Sequence, residues 1–255
     1  MSLVAYSRTA PSFTDRVFDL LDHVDYRQAI TDAEKDAVYR LRYQAYLREG
    51  AIPENFSQRL SDRFDDLDNT WIMGVFVDGR LAGSIRLSIS SPAYRDMPAT
   101  KVFPDFLESD LDAEKTIIDP TRFVIDQNMA RSYPELPYVT TRIGWMAGEY
   151  FDADAILATV RTEHQAFYKR TFGHELVADA RDYPTLTKPL SLMRLNYAAM
   201  KERVHRRYPF FRSTQFERRA LFGAASGSAA IWASGGEAAA DAAAAASAVR
   251  PALAG

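Results

Sequence analysis

The sequence predicts an α/β fold in which helices pack around a single mixed sheet. Three observations carry that prediction. Helix-period and strand-period apolar patterns interleave along the first 222 of the 255 residues. An Asp78-Gly79 pair separates two apolar runs, as the turn of a hairpin does. No strand end carries the glycine pattern of a dinucleotide site or a P-loop.

Each element has its own local reason. Val24, Tyr26, Gln28 and Ile30 alternate as in a strand. Thr31-Asp32 with Glu34 just beyond reads as a capped helix start. Ala37, Val38, Leu41 and Ala45 then recur at helical spacing to about Glu49, and Gly50 is placed to end the helix. Residues 52–70 are acidic and irregular. The hairpin arms are 71–77 and 81–89. A connector rich in proline and acidic residues, 91–114, leads to a strand within 116–126. A helix at 136–151, a strand at 155–160 and a helix at 162–171 closed by Gly173 come next. Strands at 175–180 and 189–195 and a basic helical segment, 196–222, end the folded part.

Composition bounds the class. The last 33 residues hold 16 Ala and 5 Gly, too little large apolar surface to offset the entropy of ordering. The expected organisation is therefore an N-terminal arm at 1–22, one domain at 23–222 and a disordered Ala/Gly-rich tail at 223–255. At 47% hydrophobic and 25% charged residues the chain reads as an ordinary soluble protein. Cysteine is absent, which removes disulfides, thiolate nucleophiles and thiolate metal sites together. A net charge of −3 argues against nucleic acid as a partner. No apolar run has the length of a signal peptide or a membrane helix, so a cytoplasmic protein without an integral membrane segment is expected.

The order of elements is similar to that of GNAT-type (acyl-CoA N-acyltransferase) folds, three layers around a mixed, mostly antiparallel sheet. The stretch from Ala158 through Tyr168 to Gly173 looks like the fifth strand and following helix of that fold. Four motifs fall in the order found in autoinducer (acyl-homoserine lactone) synthases. They are Leu41-Arg42-Tyr43-Gln44-Ala45-Tyr46, the acidic run Asp62 to Asp68, Gly83-Ser84-Ile85-Arg86-Leu87 and Asp119-Pro120-Thr121-Arg122-Phe123. The resemblance is closer to the long-chain N-acyl amino acid synthases, through Tyr46 to Gly50 and a region like Tyr183-Pro184 to Leu195. Where autoinducer synthases carry a glutamate before their Asp-x-x-Asp, Leu60 stands in the Asp62/Asp65 register and Arg63 in the Asp65/Asp68 register. This departure, with a missing tryptophan, favours a plain amino-acid acceptor over lactone formation.

The resemblance implies an N-acyltransferase that makes an amide from a thioester. That chemistry needs a neutral amine, a polarised carbonyl and a stabilised leaving thiolate. Asp62, Asp65 and Asp68 are the candidate catalytic carboxylates, and Tyr168, by its place in the GNAT-like helix, is the candidate donor to the thiolate. Arg42, Arg86 and Arg122, with Asp119 and Phe123, form the candidate substrate-binding set. The three arginines read either as a brace for the fold or as a clamp on a substrate carboxylate. A backbone N–H near 123–125 is the expected oxyanion donor.

No bound cofactor or metal is expected. The donor substrate is the acyl-phosphopantetheine of acyl carrier protein, or acyl-coenzyme A. Residues 126–134 carry no glycine where coenzyme A enzymes of this fold place a pyrophosphate-binding loop, which favours the carrier. Carrier proteins are acidic, and Arg203, Arg206 and Arg207 in the basic segment are the candidate carrier contacts. The expected reaction moves a medium or long acyl group to the amine of an amino acid. Two alternatives stand beside it: a non-catalytic acyl- or carrier-binding module, and a coenzyme A-dependent acyltransferase of the same fold.

Overall fold

A computed structural model describes residues 10–223. Its core is a seven-stranded sheet in the order β1-β2-β3-β4-β5-β7-β6. The strands are β1 (Val24–Gln28), β2 (Thr70–Val77), β3 (Arg80–Ile89), β4 (Ile117–Ile125), β5 (Ala155–Val160), β6 (Glu175–Arg181) and β7 (Leu190–Asn196). Every pairing is antiparallel except β4 with β5. The predicted mixed sheet is therefore present, and each predicted strand lies within two or three residues of its expected bounds.

The local signals act as their chemistry requires. Asp78 and Gly79 both take positive φ, 48° and 77°, as a two-residue turn matched to strand twist needs. Helix α2 (Asp32–Arg48) opens with Thr31 and Glu34 in a reciprocal capping box and is followed by Gly50 at φ 61°. Alternation then sorts β3. Ile85, Leu87 and Ile89 join the main core, while Arg86 is buried on the other side, toward α2.

Two segments depart from the sequence reading. The connector at 91–114 contains two short helices, α3 (Pro98–Val102) and α4 (Pro104–Asp112), each begun by a proline whose missing N–H costs nothing there. Phe103, Leu107 and Leu111, four residues apart, face Ile117, Leu157 and Leu192 of the sheet. Asp105 and Asp110 pair with Arg181 of β6 and Arg194 of β7, which fixes α4 across that end of the sheet. The arm at 1–22 contains α1 (Phe13–Leu21), capped by Ser12 and Asp15, with Val17 and Leu20 buried in the main core. Phe13, Val17, Leu20 and Leu21 recur at helical spacing, a signal that the reading of this stretch as an arm passes over.

The face of the sheet opposite α2 and α4 carries, with α1, the helices α5 (Gln127–Ser132), α6 (Leu136–Tyr150) and α7 (Gln165–Thr171). The basic segment is broken into α8 (Tyr197–Arg207), a 3-10 turn at Pro209–Phe211 and α9 (Gln215–Phe222). It is anchored through Phe210, Phe211 and Phe222, all buried in the main core. No described helix is long and apolar enough to cross a membrane. The tail expected to be disordered lies, from residue 224 on, outside the described residues.

Candidate active site

The fold brings four motifs together on the α2 side of the sheet. Arg42 comes from α2, Arg86 from β3, Asp119 and Arg122 from β4, and Asp62 and Asp65 from a 3-10 turn at Arg63–Asp66. That turn closes on itself. Asp62 accepts from the Phe64 N–H at 3.0 Å, and Asp65 accepts from the Asp62 N–H at 3.0 Å.

The outer carboxylate oxygens meet arginines. Arg86 donates to both oxygens of Asp62, at 2.6 and 3.3 Å, and Arg122 donates to one of them at 2.6 Å. Arg42 donates to Asp65 at 2.7 Å, and Arg86 bridges to the same oxygen at 3.1 Å. Arg42 and Arg86 are fully buried, and Arg122 nearly so. Burial pushes the Asp62 carboxyl up, but Arg86 and Arg122 outweigh it and hold it at about 2. A buried guanidinium needs such a partner to be tolerated at all.

Asp119 stands apart from these pairs. It is fully buried, one oxygen accepts from the Ala99 N–H at 2.8 Å, and the other has no partner. Burial pushes its pKa up to about 6, against the pull of that N–H and of Arg86. A carboxylate poised near neutrality with a free oxygen is what a general base requires. Counting it, three arginines face three aspartates.

Arg122 also shapes the strand. Its φ is 53°, uncommon for a residue with a side chain, and the β3–β4 register slips there, with Arg86 opposite Thr121 but Ser84 opposite Val124. On the other side, β4 pairs with β5 only through Ile117 and Ile118. Beyond Ile118 the parallel strands separate, and the edge of β4 through residues 119–125 is left unpaired toward β5. Expected oxyanion donors at 123–125 lie on that edge. Phe123 is half-buried and packs on the main core, away from the arginines.

The remaining candidates divide. Tyr168 is half-buried, with its ring against Phe167, Phe172 and His174. Burial raises its pKa, helped by the nearby Tyr46, whose ring lies under Arg122 at 5.4 Å. Asp68 is exposed and touches Tyr94 at 3.3 Å instead of the arginines, so the expectation that it joins Asp62 and Asp65 is corrected. Asp62 and Asp65 are thus the two members of the acidic run that meet the arginines, and Leu60, two residues before Asp62, is buried. Arg203, Arg206 and Arg207 are exposed on α8. Among the described residues no cluster of His, Cys, Asp and Glu has the arrangement of a metal site.

Sequence reasoning misses several neighbours. Thr121 accepts from Arg86 Nε at 3.0 Å, Tyr183 sits in the field of Asp119 and Arg122, and the Ala99 N–H reaches Asp119 from α3, a helix hidden in the connector. Asp126 begins the loop that lacks glycine. Its carboxylate accepts from the N–H groups of Asn128 and Met129, both at 3.0 Å, and so caps α5. An Asp before a helical stretch is the available sequence signal for that cap.

Comparison with known proteins gives this geometry its relatives. A family model described as N-acyl amino acid synthase FeeM matches residues 37–196, which span every member of the arginine–aspartate network. Among solved structures, FeeM itself, an N-acyl amino acid synthase from uncultured soil microbes, is 18% identical with a TM-score of 0.59, over 70% of this chain and 93% of that one. The acyl-homoserine lactone synthase LasI is 15% identical with a TM-score of 0.52, over 69% and 90%. BjaI, a coenzyme A-dependent acyl-homoserine lactone synthase, is 14% identical with a TM-score of 0.51, over 73% and 89%. At these identities the likeness is one of fold. A search of curated proteins found no match.

Proposed function

The chain belongs to the N-acyl amino acid synthase FeeM family of N-acyltransferases, and from that premise we propose that it moves a fatty acyl group from acyl carrier protein to the amine of an amino acid. The observation that carries this reading is the buried set of three arginines and three aspartates with one free carboxylate oxygen, on Asp119. A balanced set of this kind suits a zwitterion. Guanidinium groups take the acceptor's carboxylate bidentately, and a carboxylate takes its ammonium.

In the proposed reaction Asp119 removes one ammonium proton and passes it to solvent, and the freed amine nitrogen attacks the thioester carbonyl. The C–N bond forms first, giving a tetrahedral oxyanion, and the C–S bond breaks as that oxyanion collapses. Backbone N–H groups on the unpaired edge of β4 stabilise the oxyanion, and the leaving thiolate takes a proton from Tyr168, which regains one from solvent. Asp119 takes the second amine proton and releases it to solvent, so the products are an amide, a free thiol and one net proton. Asp62 and Asp65 hold Arg86, Arg42 and Arg122 in place for the acceptor and act through them.

The preference for a carrier donor rests on Asp126. Coenzyme A brings a pyrophosphate that needs backbone N–H donors at the helix after β4. The two N–H groups there are already held by the Asp126 carboxylate, which also repels phosphate. A carrier's pantetheine arm has a single phosphodiester and a protein attached, for which the exposed arginines of α8 are the complementary surface.

The test is direct. The full-length protein is given carrier protein loaded with a labelled acyl chain and a mixture of free amino acids, and products are read by mass spectrometry. An acylated amino acid is expected, its head-group and chain masses naming both substrates. Turnover with coenzyme A thioesters and none with the carrier thioester sinks the donor assignment, and no amide product from either donor sinks the function.

A further inference from the structure

A cavity of about 230 Å³ lies on the far side of the molecule from Asp62 and Asp119, between the C-terminal half of α6 and the α8–α9 segment. Trp145, Tyr197 and Phe211 wall it, with ring centroids 4.9 Å apart for Trp145–Tyr197 and 6.0 Å for Trp145–Phe211. Trp145 stacks on Phe172 at 5.5 Å, so a layer of rings separates the cavity from the sheet.

The polar lining is dominated by donors. Lys201, Arg212 and Arg218 line it together with one carboxylate, Glu149, an excess of two positive charges. Glu149 is occupied, since Tyr197 donates to it at 3.0 Å and Lys201 pairs with it. The indole N–H of Trp145 donates to His205 Nε2 at 2.9 Å. That bond requires the Nε2 lone pair, so the ring proton sits on Nδ1 and His205 adds a further donor. Arg218 is held by the carbonyl and hydroxyl of Ser213, at 2.7 and 2.9 Å. The exposed Arg212 side chain makes no hydrogen bond or ion pair among the described residues and is free to engage a ligand.

We propose that this cavity binds a small organic anion, a carboxylate or phosphate monoester on a planar apolar body. The space, open on one side, is of the size of a single ring bearing a charged group. The edges of Trp145 and Tyr197 that reach the cavity border the body, and the cations take the charge. The wall that carries Arg212 and Ser213 is latched to α6, because the buried Arg142 donates to the carbonyls of Phe210 and Arg212 at 2.7 and 2.8 Å and pairs with Glu217. A bound anion therefore stabilises the packing of the C-terminal segment on α6.

Calorimetric titration and thermal melting of the full-length protein test this, with phenyl phosphate and benzoate as probes and benzyl alcohol, benzylamine and inorganic phosphate as controls. The two aromatic anions are expected to bind saturably and raise the melting temperature. Inorganic phosphate should bind at least tenfold more weakly, and the neutral and cationic analogues not at all. Arg212→Ala should weaken binding about tenfold or more with the ligand-free melting temperature unchanged, and Arg207→Ala, on the same helical segment outside the cavity, should leave it unaltered. Equal binding of benzyl alcohol, equal binding of inorganic phosphate, an unaffected Arg212→Ala, or equal weakening by Arg207→Ala each overturns the proposal.

Discussion

Arg86 meets Asp62 end-on, with both terminal guanidinium nitrogens against both carboxylate oxygens, at 2.6 and 3.3 Å. The pair joins β3 to the acidic turn across α2's face of the sheet. Removing one partner of a buried pair leaves the other uncompensated and costs about 3–5 kcal/mol. Arg86→Ala is therefore expected to lower stability by that order in chemical denaturation, and to abolish turnover in the fraction that folds. Arg86→Lys keeps the charge but loses the fork, so it should recover much of the stability and little of the activity. Full turnover in a folded Arg86→Ala protein would leave the residue as a brace alone.

Asp62 predicts an acid limb. Its carboxyl titrates at about 2 in the folded protein against 3.8 for an ordinary aspartate, so the folded state binds fewer protons between those values. The stabilisation is complete above about pH 5 and is lost as pH falls from about 4 to 2. By proton linkage it amounts to about 2 kcal/mol. Urea titrations across that range should show the slope in the natural protein and a flattened one in Asp62→Asn.

Asp119 gives stability and activity opposite slopes. With its pKa raised to about 6, the folded state favours the protonated carboxyl, so this group's contribution to stability falls as pH rises from about 4 to 6. Activity needs the ionised base, so kcat/KM should rise about tenfold per pH unit below 6 and level off above it. Asp119→Asn should remove both slopes, cut turnover by two or more orders of magnitude, and leave acceptor KM changed far less than kcat. A pH–rate profile whose lower limb is identical in Asp119→Asn would rule this carboxylate out as the base.

How much of this is legible in the sequence follows from the range of each interaction. Thr31, Glu34, Asp78 and Gly79 act within four residues of themselves, so their caps and turns read directly. The meeting of Arg86 with Asp62, 24 residues apart, is readable only as a charge balance that burial would impose, with motif order supplying the partners. Asp68 shows the limit, because nothing in a run of aspartates says which members a 3-10 turn will direct inward. Helices α3 and α4 escape a sequence reading because each is short and they abut, which hides the period of Phe103, Leu107 and Leu111. The positive φ of Arg122 accompanies the slip in the β3–β4 register, and the free oxygen of Asp119 depends on which groups folding brings beside it, so neither has a sequence signature.

The exposed arginines of α8 make the last prediction, one that separates docking from chemistry. Arg203, Arg206 and Arg207 lie on the surface, while the network they would serve is buried across the sheet. Reversing all three to glutamate therefore leaves the reacting groups untouched and changes only the encounter with an acidic carrier. Such contacts act mainly on the association rate and are screened by salt, with a Debye length of about 8 Å at physiological ionic strength. The triple variant should lose tenfold or more in kcat/KM for an acyl-carrier donor at low salt, through KM and not kcat. Raising the ionic strength should weaken the natural protein toward the variant, and a minimal acyl-pantetheine donor should be used equally by both. A variant that loses activity with the pantetheine donor as well would mean that these arginines support the fold or the chemistry, and the docking face would have to be sought elsewhere.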